Sequence, residues 1–154
     1  NHVFLIRVFS MVAEQIPEAE LLLVGEGKLE SEIREQAEEL GMGDRVFFAG
    51  VRENVSSIYS AMDVFCLPSL YEGFPVVLLE TQANGLPAVC SDRVSEEVCI
   101  TDLVERISLK DSSAWPTVLL SAKRSKEDLP EEYEIKVAVK RLENKYHSLV
   151  GTRG

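Results

Sequence analysis

The sequence predicts an α/β fold, a doubly wound parallel sheet of the Rossmann-like kind that lacks its first strand. Two observations lead there. Short apolar runs alternate with longer stretches whose apolar residues recur at three- and four-residue spacing, so strands and helices take turns along the chain. That alternation implies parallel strands joined by right-handed crossovers. The chain also opens directly on a helical pattern, where a doubly wound domain normally opens on a strand. It therefore reads as a fragment that starts after the first strand.

Val3 to Ile16 carries the first helix. Val3, Ile6, Val8, Phe9, Val12, Ala13 and Ile16 fall at helical spacing, and Pro17 stops it. Leu21 to Val24 is an apolar run typical of a strand buried on both faces. Gly25-Glu26-Gly27 turns the chain, and Leu29 to Leu40 is a charged amphipathic helix closed by Gly41. Arg45 to Ala49 is the second strand, Gly50 to Asn54 a loop, and Val55 to Met62 a short helix. Val64 to Leu67 is a third buried strand, ended by Pro68. After a loop from Ser69 to Phe74 comes a helix from Pro75 to Asn84. Proline takes its first position and Gly85 lies just past its end. Ala88 to Cys90 is a fourth strand, and Leu103 to Leu109 holds a fifth. Ser112 to Lys126 and Glu134 to Leu149 read as helices, joined by the polar connector Ser125 to Glu134. Trp115, Phe47, Phe48 and Phe65 are expected in the core.

The 154 residues, 45% apolar and 27% charged, fit one globular domain over 1–154. No apolar run reaches the ~18 residues of a membrane-spanning helix. A net charge of −10 argues against a nucleic-acid partner, whose phosphates need clustered Lys and Arg. The charge is uneven. Residues 1–103 hold 6 basic and 18 acidic groups, and residues 104–154 hold 10 and 8. The basic last third suits either a solvated helix face or an acidic surface, such as the inner face of the cell membrane. Cys66, Cys90 and Cys99 form no C-x-x-C pair. Their odd number and their apolar settings suggest reduced, buried thiols and a cytoplasmic setting. His2 and His147 lie far apart, and no D-x-D occurs, so neither a metal site nor a bound cofactor is expected.

Ligands of doubly wound sheets bind at the carboxyl ends of the strands. That singles out the loops Gly25–Lys28, Gly50–Asn54, Pro68–Pro75 and Ser91–Glu97. The segment from Glu72 to Glu80 is the most informative. Gly73 lets a ligand approach the backbone. Phe74 and Pro75 open a helix, and the N–H groups of Val76, Val77 and Leu78 then form an anion site suited to a phosphate. Glu80, flanked by Leu79 and Thr81, is a lone charge that needs a partner, and a ribose diol is a natural one. Compensation of the helix dipole is the plainer alternative. A glycosidase pair of carboxylates has nothing else in the sequence to support it. Gly25-Glu26-Gly27 matches a dinucleotide fingerprint only in part, because Glu30 stands where its third glycine would be.

The segment Leu67 to Pro87 resembles the E-x7-E signature of retaining GT-B glycosyltransferases. Within these it is similar to family 4, the bacterial capsular and exopolysaccharide branch. The runs Leu23 to Gly27, Val46 to Arg52 and Ala61 to Phe65 recur in the same order in that family. The resemblance implies the C-terminal, nucleotide-sugar-binding lobe of a two-lobed enzyme, with the N-terminal acceptor lobe absent. It implies transfer of a hexose-type sugar, with a UDP-sugar as donor and a polysaccharide or lipid-linked glycan as acceptor. By the same resemblance Glu80 holds the ribose hydroxyls, and Glu72, the catalytic candidate, lies near the donor sugar's hydroxyls. Gly73, Phe74, Pro75, Val76 and Val77 serve the sugar and diphosphate. Val51 and Arg52 meet the base, and Gly25 and Gly27 line the cleft. The family carries an Arg and a Lys just upstream of the Asn1-His2 position, and this chain does not include them, so the fragment alone is expected to be inactive. A non-catalytic nucleotide-binding or interaction module on the same fold is the alternative.

Overall fold

Apolar periodicity builds the helices, and glycine closes two of them. A computed structural model of the chain describes residues 1–125 and Tyr133. Helix α1 (His2–Gln15) buries Leu5, Ile6, Val8, Phe9 and Ala13 along one stripe. Strand β1 (Leu21–Val24) pairs in parallel with β2 (Val46–Gly50), and α2 (Glu30–Glu39) crosses between them. Helix α3 (Val55–Ala61) leads to β3 (Phe65–Leu67) and α4 (Val76–Ala83) to β4 (Ala88–Ser91). Then come β5 (Val104–Ile107) and α5 (Ala114–Ser121). Short 3-10 turns at Gly43–Arg45 and Glu96–Val98 are additions to the sequence expectation. The helix expected over 134–149 lies outside the described residues.

Two helix ends follow the sequence closely. After α2, Gly41 adopts φ 68°, its N–H donates to Glu38 O (2.9 Å), and Met42 N–H donates to Ala37 O (2.7 Å). After α4, Gly85 does the same with φ 68°, and Gly85 and Leu86 donate to Gln82 O and Thr81 O. Both are Schellman closures, which need a residue at ease in the left-handed region.

The strands form two parallel sheets, β1-β2 and β3-β4-β5. Helices cover both faces of the second. Cys66 and Val89 pack toward α1 and α5 around the fully buried Trp115. Phe65, Leu67, Ala88 and Cys90 face the opposite way, onto Leu78 of α4. The Trp115 indole donates to Ser108 O (3.1 Å) and meets the edge of Phe4. Gln82 of α4 is fully buried and fully satisfied. Its amide nitrogen donates to Leu78 O and Val98 O, and its oxygen accepts from Ile100, Thr101 and the Thr101 hydroxyl. Arg124 donates to Tyr59 O and Met62 O at the end of α3 and to Asn84 O at the end of α4.

The first sheet departs from expectation. β1 alternates part-buried and exposed residues, and β3 is only part-buried, where both were expected buried on two faces. Phe47, expected in the core, is 44% exposed, while Phe48 and Phe65 are part-buried and Trp115 is fully buried. The reason is the sheet itself: β1 and β3 each lack a second strand neighbour among the described residues. Leu21 and Leu23 pack on α1 and α2, whereas Leu22 and Val24 face open space.

Candidate functional site

The site loops share one edge of the fold. The Asn1 side-chain amide donates to Pro68 O (2.9 Å), so α1 begins at the carboxyl end of β3. It ends where the chain turns into β1, so β1 and β3 run the same way. Every loop that follows a strand therefore leaves from the same edge of both sheets.

On the β1-β2 side, Gly25 takes φ 119° and Gly50 φ 67°, which only glycine adopts readily. Gly25 N–H donates to Gly50 O (2.9 Å), which stitches the Gly25–Gly27 turn to the Val51–Arg52 loop. Val51 and Arg52 are exposed, and Arg52 has no acid partner among the described residues.

On the other side, the Pro68–Pro75 loop is fastened by two bonds from outside and one within it. Besides the Asn1 bond, the Ser91 hydroxyl donates to Ser69 O (2.6 Å) and the Ser69 hydroxyl donates to the Glu72 carboxylate (3.0 Å). The last of these aims Glu72. Around it Leu70, Tyr71 and Phe74 are exposed. A Cβ on Gly73 would meet nothing within 4 Å, so the backbone there is open to a ligand.

The start of α4 corrects one expectation. Pro75 is the N-cap, with φ −72° and ψ 107°, and Val76 is the first helical residue. The Leu78 N–H donates back to Pro75 O (3.1 Å), because a tight first turn closes on that carbonyl. Two N–H groups remain to face a ligand, those of Val76 and Val77, where three were expected.

Glu80 does have a partner, and it is Tyr59. The phenol of this buried α3 residue donates to the Glu80 carboxylate (2.8 Å), while its ring packs edge-on to Phe65. Burial, and then the Glu80 hydrogen bond and charge, push the Tyr59 phenol up to about 12. Glu80 is itself exposed, so one of its oxygens is held while the group stays open to solvent. Sequence reading missed Tyr59. The pair is 21 residues apart, and nothing local in α3 marks it.

Glu72, Gly73, Phe74, Pro75, Val76, Val77 and Glu80 thus lie on one loop-helix unit, and Gly25, Gly27, Val51 and Arg52 on another. No hydrogen bond joins the two units among the described residues. The arrangement can hold an oxyanion at a helix start and a diol at a carboxylate. Among the described residues no three His, Cys, Asp or Glu side chains converge as metal ligands.

Known proteins share this organisation. The sequence profile of the family "Glycosyl transferases group 1" matches residues 1–115. EpsF of Bacillus subtilis (strain 168), which carries the name of a glycosyltransferase, is 40% identical over 124 residues, 79% of this chain and 32% of its own length. An Escherichia coli UDP-Gal:alpha-D-GlcNAc-diphosphoundecaprenol alpha-1,3-galactosyltransferase is 36% identical over 78 residues, 50% of this chain and 20% of its own. The chain thus spans a third or less of the length of these relatives. Among solved structures, Anabaena Alr3699/HepE in complex with UDP superposes with a TM-score of 0.67 at 21% identity, over 77% of this chain and 34% of that one. The lipopolysaccharide glycosyltransferase WaaG gives 0.68 at 23%, with the same coverage. Sequence profile and fold agree, and the chain belongs to the group 1 glycosyl transferases, in the family 4 GT-B branch with capsular and exopolysaccharide members.

Proposed function

We propose that residues 1–154 form the donor-binding domain of a retaining glycosyltransferase. It takes a hexose-type sugar from a UDP-sugar to a polysaccharide or lipid-linked glycan acceptor. The observation that carries this reading is the start of α4. Two free N–H groups lie there between Glu72, aimed by Ser69, and Glu80, held by Tyr59. Val76 and Val77 take the diphosphate, whose charge on leaving is stabilised by fixed donors. Glu80 takes the ribose and Glu72 the donor sugar. Gly73, Phe74 and Pro75 form the floor beneath the sugar, Val51 and Arg52 hold the base, and Gly25 and Gly27 line the far wall. The galactosyltransferase relative named for UDP-Gal, and the HepE structures titled with UDP and UDP-glucose, support a uridine donor. The acceptor binds through a lobe outside this chain. The domain works on the cytoplasmic side, and its basic last third rests on the inner membrane face. More recovery with anionic than with neutral liposomes tests that placement.

The test of the main reading is a titration of UDP, GDP and ADP followed by amide NMR. UDP is expected to shift Gly73 to Val77 and Glu80, with little from the other two. Glu80→Gln is expected to weaken UDP about tenfold or more, the loss of a charge-assisted contact. Equal weak shifts by all three, or none at millimolar ligand, would sink the uridine reading and favour a non-catalytic module. The domain alone is expected to bind donor without transferring sugar. Labelled product from the purified chain would refute that.

A further inference from the structure

Glu80 of α4 is exposed, and an exposed glutamate on a helix ordinarily samples several rotamers. Here one of its oxygens is already taken. The Tyr59 hydroxyl, on the neighbouring α3, donates to Glu80 Oε2 at 2.8 Å. Tyr59 itself has little freedom. It is 8% exposed, and its ring stands at 88° to that of Phe65, with centroids 6.1 Å apart. One turn further on the two helices are tied again, where the Asn84 amide donates to the Ser60 hydroxyl (3.2 Å). The start of α3 is capped by Asn54, whose side chain accepts from Ser57 N–H (3.3 Å). A buried ring on an anchored helix thus places the donor. Among the described residues that donor is the one hydrogen-bond partner of the Glu80 carboxylate.

We propose that Tyr59 is a positioning residue of the donor site, and that the Tyr59–Glu80 pair, not Glu80 alone, selects a ribose over a deoxyribose. The inference rests on the reading of α4 as a nucleoside-diphosphate site and names what prepares its ribose contact. The first argument is direction. Glu80 lies four residues after Val76, so the two share a helix face, and helical side chains lean back toward the helix start. A carboxylate fixed there stands beside the anion site instead of sweeping through solvent. The second is polarity. Burial, and then the Glu80 hydrogen bond and charge, push the phenol up to about 12, so it keeps its proton and stays the donor. The carboxylate is left with acceptor capacity only, all of Oε1 and what remains on Oε2. Two hydroxyl donors on adjacent carbons match that capacity. A sugar without them leaves a fixed acceptor unpaired. The third is order. A rotamer set before the ligand arrives adds no ordering cost on binding.

The rival is a purely structural tyrosine, whose hydroxyl needs any partner once its ring is buried. The two differ in what the hydroxyl does to ligand choice.

The experiment uses the whole chain with Tyr59→Phe, which keeps the ring on Phe65 and removes only the hydroxyl. The ligands are UDP and its 2′,3′-dideoxy analogue, read by calorimetry. The unaltered chain is expected to bind UDP about tenfold or more tighter than the analogue. In Tyr59→Phe that ratio should fall below about threefold, through weaker UDP with the analogue unchanged. Adding Tyr59→Phe to Glu80→Gln should change nothing further, because the hydroxyl acts through the carboxylate. A second measurement needs no nucleotide. The Hα–Hβ couplings of Glu80 are expected to report one rotamer in the unaltered chain and averaging in Tyr59→Phe. A ratio near one in the unaltered chain, or a ratio that Tyr59→Phe leaves unchanged, overturns the selection while the donor reading stands. Binding of neither ligand sinks the donor reading and the selection with it, and the couplings then decide the positioning. Averaged couplings in the unaltered chain overturn the positioning whatever binds, and that result requires no variant to fold.

Discussion

β1 is Leu21-Leu22-Leu23-Val24 and β4 is Ala88-Val89-Cys90-Ser91. The first is the more apolar of the two, and the second is the one that is buried. β4 has a strand on each side and helices over both faces, and all four of its residues are inside. β1 has β2 on one side only, and Leu22 and Val24 stay 37% and 40% exposed. A strand's burial thus belongs to its neighbours as much as to its own residues. Hydrophobic stabilisation scales with the area removed from water, so the three-stranded half should carry most of the stability measured for this chain.

Substitutions can break that comparison. The largest effect is expected at Trp115, which is buried against Val8 and Val89. Trp115→Ala should cost about 3–5 kcal/mol in denaturant unfolding, because the cavity it leaves cannot collapse. A loss under about 1 kcal/mol would show that the second half is not the stable one. Gln82 comes next. Gln82→Ala leaves the Thr101 N–H without its acceptor, while Ile100 N–H keeps Val98 O and Leu78 O keeps the Thr81 hydroxyl, at a cost of about 1–3 kcal/mol by the same assay.

Alkaline titration sharpens the contrast. Burial pushes the Cys66 and Cys90 thiols from 9.0 up to about 12, and Tyr59 rises from 10.0 to about 12. All three belong to β3, β4 or the helix beside them. The unfolded chain loses these protons first. The stability they contribute is therefore complete below about pH 9 and drains away as pH climbs toward 12. Hydrogen exchange near pH 11 should open β3 and β4 relative to neutral pH, after correction for intrinsic rates. Earlier opening of β1 and β2 would reverse the comparison. The smallest effect belongs to Leu22. Leu22→Ser should stay within about 0.5 kcal/mol. A larger loss would mean that something already covers that face.

What the sequence made legible follows from range. The closures at Gly41 and Gly85 were readable because the signal and its consequence sit within one turn. The helix after Pro75 was readable for the same reason, apart from a shift of one position at its start. The parallel pairing of the strands followed from alternation, whereas their order and their division into two sheets among the described residues did not. Tyr59 was not readable, because its role depends on α3 crossing to α4, and sequence spacing carries no record of that crossing. Phe47 was misplaced for a related reason. Its composition says core, but its partner surface is absent among the described residues. The candidate site divides the same way. Glu72 to Glu80 is one continuous segment, whereas the stitching of Gly25 to Gly50 appears only once β1 and β2 pair.

Arg124 has a consequence of another kind. One guanidinium grips the closing carbonyls of two helices, at the edge of the sheet remote from the ligand loops. Those carbonyls are the negative poles of α3 and α4, so a single cation compensates both. It ties the ends of the two helices together, with Tyr59 on one and Glu80 on the other. Spreading those ends would lengthen the contact between phenol and carboxylate. Removing that cation, as in Arg124→Ala, is therefore expected to loosen the pair that orients Glu80.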